Sequence, residues 1–134
     1  LSMSTSDFSF PRKEHLKHRK LFETLYKSGK KEFKYPVMAI WTETELAEDC
    51  PIQAGFTASK RNYKSAVTRN GLKRKMREAY RTQKEPLAQM LRLKDRQIAV
   101  LFVTVKTDNT SYEVLQHKIL LLLQEIEGKL QNAG

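Results

Sequence analysis

The chain has 134 residues, enough for one domain with a sizeable core and short for two. Its balance of 40% hydrophobic and 30% charged residues excludes wholesale disorder. Lysine and arginine exceed aspartate and glutamate by 25 to 15, and the resulting charge of +10 favours a polyanionic partner, nucleic acid ahead of an anionic membrane or an acidic protein.

Residues 1–9 are rich in serine and threonine and read as a flexible amino-terminal segment. The folded domain is expected over 10–131, with a short tail at 132–134. Leu21, Phe22, Leu25 and Tyr26 recur at helical offsets, which predicts a helix over 18–28, ended by Gly29 in a left-handed conformation. Residues 37–42 and 52–59 favour an extended chain, and 31–35 is a weaker strand. The acidic stretch from Glu43 to Cys50 reads as a surface connection. Cys50 is the only cysteine, which excludes an internal disulfide and any cysteine-rich zinc site and fits a reducing compartment. Residues 98–105 are almost continuously apolar, the pattern of a central strand covered on both faces. Thr110-Ser111-Tyr112-Glu113 has the form of a capping box. Leu115, Ile119, Leu122, Leu123, Ile126 and Leu130 then repeat as a helix that covers a sheet. The apolar runs, Ile119 to Leu123 and Ile98 to Val103 among them, are too short to cross a bilayer, so the reading is a cytoplasmic protein with no membrane partner.

Between the second and last strands lies Ser65-Ala66-Val67-Thr68-Arg69-Asn70-Gly71-Leu72-Lys73-Arg74-Lys75-Met76-Arg77-Glu78-Ala79-Tyr80-Arg81. With Ser65 as cap and 100° per residue, Leu72, Met76, Ala79 and Tyr80 fall on one arc. Lys73, Asn70, Arg77, Arg81 and Arg74 fall on a second, with Arg69 at its border. A solvated helix face ordinarily alternates charge sign. Here like charges stand four apart at Arg69, Lys73, Arg77 and Arg81, each adjacent pair repelling by roughly 0.2–0.5 kcal/mol. Such a ladder calls for an anion. Arginine's planar fork suits phosphate, and Lys60, Arg61 and Lys64 add charge just before the helix.

These residues resemble a known family. Gly55-Phe56-Thr57-Ala58-Ser59-Lys60-Arg61, then Ser65-Ala66-Val67-Thr68-Arg69-Asn70-Gly71-Leu72-Lys73-Arg74, then Arg77-Glu78 are similar to the signature of the protein subunit of bacterial ribonuclease P. The resemblance covers about residues 10–130. It departs at Gly71, where the family carries arginine, at Lys64-Ser65, where Gly-Asn is usual, and in a connection one residue longer. The resemblance implies a single α/β (α+β) domain of αβββαβα order, like the second domain of a small-subunit ribosomal protein, with a left-handed βαβ crossover. It also implies that Arg69, Asn70, Lys73, Arg74 and Arg77 meet the catalytic RNA subunit, a set to which the charge pattern adds Lys60, Arg61, Lys64 and Arg81. A cleft between the first helix and the sheet would take the single-stranded 5′ leader of precursor tRNA, with Phe22 and Tyr26 at the family's aromatic positions. Lys17, Lys20 and Trp41 are further candidates there, because aromatics beside basic groups can stack bases without selecting a sequence.

The sequence offers no catalytic constellation of its own. His15, His18 and His117 are scattered, and the carboxylates are grouped mainly in 43–49 rather than gathered for Mg²⁺. The expectation is a monomeric protein cofactor that carries no catalytic side chain and no metal, with Mg²⁺ held by the RNA. A structural RNA-binding protein of ribosomal type is the alternative, and a self-sufficient endonuclease ranks last.

Overall fold

A computed structural model describes residues 9–105, 107 and 110–132. The flexible segment expected at 1–9 therefore lies outside the described residues apart from Ser9. Of the expected tail, Asn132 is the last residue of the final helix and 133–134 lie outside the described residues.

After a short 3-10 turn at Arg12–Glu14, the elements run α1 (Arg19–Ser28), β1 (Lys30–Lys34), β2 (Val37–Glu43), β3 (Ile52–Ala58), α2 (Ala66–Gln83), α3 (Glu85–Lys94), β4 (Ile98–Thr104) and α4 (Tyr112–Asn132). The expected order holds with one addition, α3. The sheet order is β1-β2-β4-β3, with β4 antiparallel to β2 and parallel to β3. All of β4 except Val103 is buried, as its unbroken apolar run requires.

Strand register sorts the side chains into two layers. Val37, Ala39, Trp41, Val100, Phe102, Ile52 and Ala54 face α2, α3 and α4, whose Leu72, Met76, Leu91, Ile119 and Ile126 complete the larger core. Ile40, Ala99 and Leu101 face the other way, onto Leu25 of α1 and Leu16. The amino-terminal segment closes the β3 edge. The amide of Leu16 donates to the Ala54 carbonyl, and Phe10 packs edge-on against Phe56 and Tyr80.

Four local expectations are corrected. Gly29 ends α1 in an extended conformation (φ −68°, ψ 151°) rather than a left-handed one. Its requirement is steric, because a Cβ there would lie 2.6 Å from the Leu25 carbonyl oxygen and 2.8 Å from Ile40 Cγ2. The cap of α4 is shifted by one residue, with the Val114 amide donating to Ser111 Oγ. The 43–50 connection is not wholly at the surface: Leu46 and Cys50 are buried in the same cluster as Leu16 and Leu25, and the Gln97 side chain donates to the Cys50 carbonyl. α3 is absent from the sequence reading because its signals are unusual. Lys84, itself helical, joins it to α2 without a side-chain cap, Pro86 follows at once, and the stop is Asp95 in the left-handed region (φ 56°) instead of glycine.

Candidate nucleic-acid interface

The oily arc of α2 is as periodicity placed it: Leu72, Met76, Ala79 and Tyr80 are its buried residues. Ser65 caps the helix by accepting from the Thr68 amide. The opposite arc is consequently turned outward. Asn70, Arg74 and Arg77 are exposed and Lys73 half-buried, and among the described residues their side chains make no hydrogen bond or ion pair. Lys60, Arg61 and Lys64 are exposed in the preceding loop.

That loop is built rather than loose. The Tyr63 hydroxyl donates to the Val105 carbonyl at 2.8 Å, and the Asn62 and Tyr63 amides donate to the Ser59 carbonyl. Arg69 reaches back to donate to the carbonyls of Tyr63 and Lys64, at 2.8 and 3.0 Å. One guanidinium thus fastens the loop to the helix while keeping its charge at the border of the cationic arc. Tyr63 is a clamp that charge counting misses, signalled only as an aromatic among cations.

Two cations of α2 stand apart from the set. Arg81 is paired with Glu78, which reduces the charge it can offer. Lys75 donates to the Thr110 carbonyl at 2.8 Å and so braces the approach to α4. Gly71 lies on the outer surface, and a Cβ there would meet nothing within 4 Å. Packing does not require glycine at this position.

A second surface lies on the α1 side of the sheet. Lys17, Arg19, Phe22, Glu23, Tyr26 and Lys27 line an open groove. Phe22 is partly buried against Leu25, Ile40 and their neighbours, whereas Tyr26 is 58% exposed. Lys20 is exposed beside them but does not line the groove. Trp41 does not join this surface. It faces the opposite layer, is 1% exposed, and donates its indole N–H to Glu32, with the Lys30 ammonium over its ring. Glu32 is buried as well and accepts from Lys129, whose pKa is held above its ordinary value chiefly by that hydrogen bond.

Among the described residues, no group of three or more histidine, cysteine, aspartate or glutamate side chains could hold a metal ion. Cys50 is enclosed, and burial pushes its thiol pKa up, making it a poor nucleophile. Glu43, in the acidic connection, is gripped at both oxygens by Arg96 at 2.7 and 2.8 Å. That hydrogen bonding lowers its pKa below the ordinary carboxylate value.

Fold and surface together define a class: a small mixed α/β domain presenting fixed, unneutralised positive charge from a packed helix, with an aromatic groove in the opposite layer. The family model described as Ribonuclease P matches residues 10–127. The ribonuclease P protein component of Chlorobium phaeobacteroides is 33% identical over 132 residues, covering 88% of both chains. That of a Picosynechococcus species is 38% identical over 72 residues, 54% of this chain and 60% of its own. The chain belongs to the ribonuclease P protein family. Its fold is that of the solved RNase P proteins: the Staphylococcus aureus protein superposes with a TM-score of 0.62 over 84% of this chain and 94% of its own, at 17% identity. The Thermotoga maritima protein gives 0.62 over 84% and 96%, at 20% identity.

Proposed function

We propose that this protein is the RNA-binding subunit of ribonuclease P, assisting a catalytic RNA in endonucleolytic removal of the 5′ leader from precursor tRNA. Family membership supports the assembly. The observation that carries the role is the outward, unpaired arc of Asn70, Lys73, Arg74 and Arg77, continued by Lys60, Arg61 and Lys64. Fixed cations on a rigid helix screen repulsion between RNA strands and meet phosphates without first breaking internal ion pairs. The groove beside Phe22 and Tyr26 holds the leader, flanked by Lys17 and Lys20, so precursor binds more tightly than mature tRNA. Cleavage frees the leader from the groove and lets product leave. Mg²⁺ belongs to the RNA and supplies the activated water there. The protein positions and screens, working as a monomer beside its RNA in the cytoplasm.

The test is the salt dependence of binding to the ribonuclease P RNA. Combined Lys73→Ala, Arg74→Ala and Arg77→Ala substitutions are expected to flatten the log–log slope by about 0.9 for each duplex phosphate that is no longer neutralised. An unchanged slope removes α2 from the interface.

A further inference from the structure

The edge strand β1 has two unlike faces. On one, every charge is matched inside the molecule: Lys30 lies over Trp41, Glu32 accepts from Lys129, and Lys34 faces Glu125. The other face carries Lys31, exposed and without an internal partner among the described residues, and Phe33. Tyr35 follows in the turn. Phe33 and Tyr35 are each 54% exposed, and their rings meet edge to face with centroids 6.3 Å apart. An aromatic pair held open on an unpaired sheet edge is an aggregation hazard unless something uses it.

Register says what it adjoins. Phe33 stands opposite Met38, and Met38 opposite Val103. Both neighbours are only partly buried and pack into the α1-side cluster together with Phe22. The aromatic pair therefore prolongs, toward the sheet edge, the same apolar strip that begins under the α1 groove. Among the described residues the unmatched cations beside it are Lys31, on the same face, and Lys27, which lines the α1 groove. Three lysines in a five-residue edge strand oppose pairing with a second copy of that strand, and the unmatched Lys31 beside the rings favours an anionic polymer bearing flat rings.

We infer that Phe33 and Tyr35 form a stacking subsite for an unpaired nucleotide of the RNA leader, lying beyond the α1 groove. The inference rests on the proposed leader-binding role. Exposed rings of this kind accept any base, because every base has a π face, so the subsite adds affinity according to leader length rather than sequence.

The experiment uses holoenzyme reconstituted with the ribonuclease P RNA and measures affinity for precursor tRNAs whose leaders lengthen stepwise from none. Wild type is compared with Phe33→Leu/Tyr35→Leu, which keeps apolar bulk and strand propensity but removes both rings, and with Phe33→Ala alone. Thermal unfolding confirms that each variant is folded. Both variants should match wild type on mature tRNA and short leaders, and the double variant should lose at least about fivefold on the longest leaders. A double variant that follows wild type at every length overturns the subsite and leaves the leader groove intact. Wild-type affinity independent of leader length overturns the leader reading itself. Equal losses on mature and precursor tRNA, or a changed oligomeric state with no change in length dependence, assign the rings to a protein contact and overturn the inference.

Discussion

At the scale of single residues, strand parity decides which aromatics can meet a ligand. Trp41 pairs with Lys30 and Val100, and so faces the layer that α4 covers, while Ile40 beside it faces α1. Nothing in Val37-Met38-Ala39-Ile40-Trp41 alternates in polarity, so the sequence cannot tell the two faces of this strand apart. In Lys31-Glu32-Phe33-Lys34 the polar surroundings hide an aromatic residue on the α1 face. Its place beside the α1-side cluster becomes visible only when register sets it opposite Met38. Trp41→Ala should destabilise the fold by about 3–5 kcal/mol, since it empties a filled site and strips a partner from buried Glu32. Denaturant unfolding checks this, and binding by the protein that remains folded should show no leader-specific loss.

At the scale of elements, the two helices that carry the candidate sites differ in how their functional side chains are used. On α2 the division is legible from spacing, because one arc is purely apolar and the other nearly purely cationic. Spacing does not show that Arg69 fastens the loop, that Arg81 is paired or that Lys75 braces Thr110, since each depends on a partner outside the pattern of apolar and charged positions. On α1, Phe22 and Tyr26 stand four apart and are equivalent by spacing. The fold separates them, with Phe22 serving packing as well as the groove and Tyr26 lying in the open. Tyr26→Ala should leave stability nearly unchanged and weaken precursor tRNA by about fivefold or more relative to mature tRNA. Phe22→Ala should lower the unfolding midpoint too. Paired affinity and melting measurements on the two variants separate these outcomes.

At the scale of the whole molecule, one sheet separates the two surfaces. The cationic helix lies in the layer of α2, α3 and α4, and the aromatic groove in the layer of α1. The order of elements and the central strand are legible because hydrophobic period is a local property. α3 is not, because its joint and its stop lack the usual residues and Leu93, 85% exposed, puts an apolar residue on its solvent side and blurs the helical period. The end of the molecule near Arg96 is tied by electrostatics. Arg96 grips Glu43 at the end of β2 and donates to the Leu130 carbonyl of α4. Glu43 has a lowered pKa in the folded state. Its contribution to stability is therefore present above the unfolded pKa, and is lost as pH falls through the ordinary carboxylate value to the lower folded one. Wild type should melt higher than Glu43→Gln at neutral pH, with the gap closing as the solution is acidified. A gap constant with pH contradicts that assignment.

Everything proposed for the RNA depends on outward positive charge on α2 serving a catalytic partner. The direct measurement is cleavage of precursor tRNA by the ribonuclease P RNA across a Mg²⁺ titration, alone, with this protein, and with its Lys73→Ala/Arg74→Ala/Arg77→Ala variant. The protein should shift the curve to lower Mg²⁺, and the variant should return it toward that of RNA alone. Cleavage by the polypeptide without RNA, or a curve that neither protein moves, would contradict that role for α2.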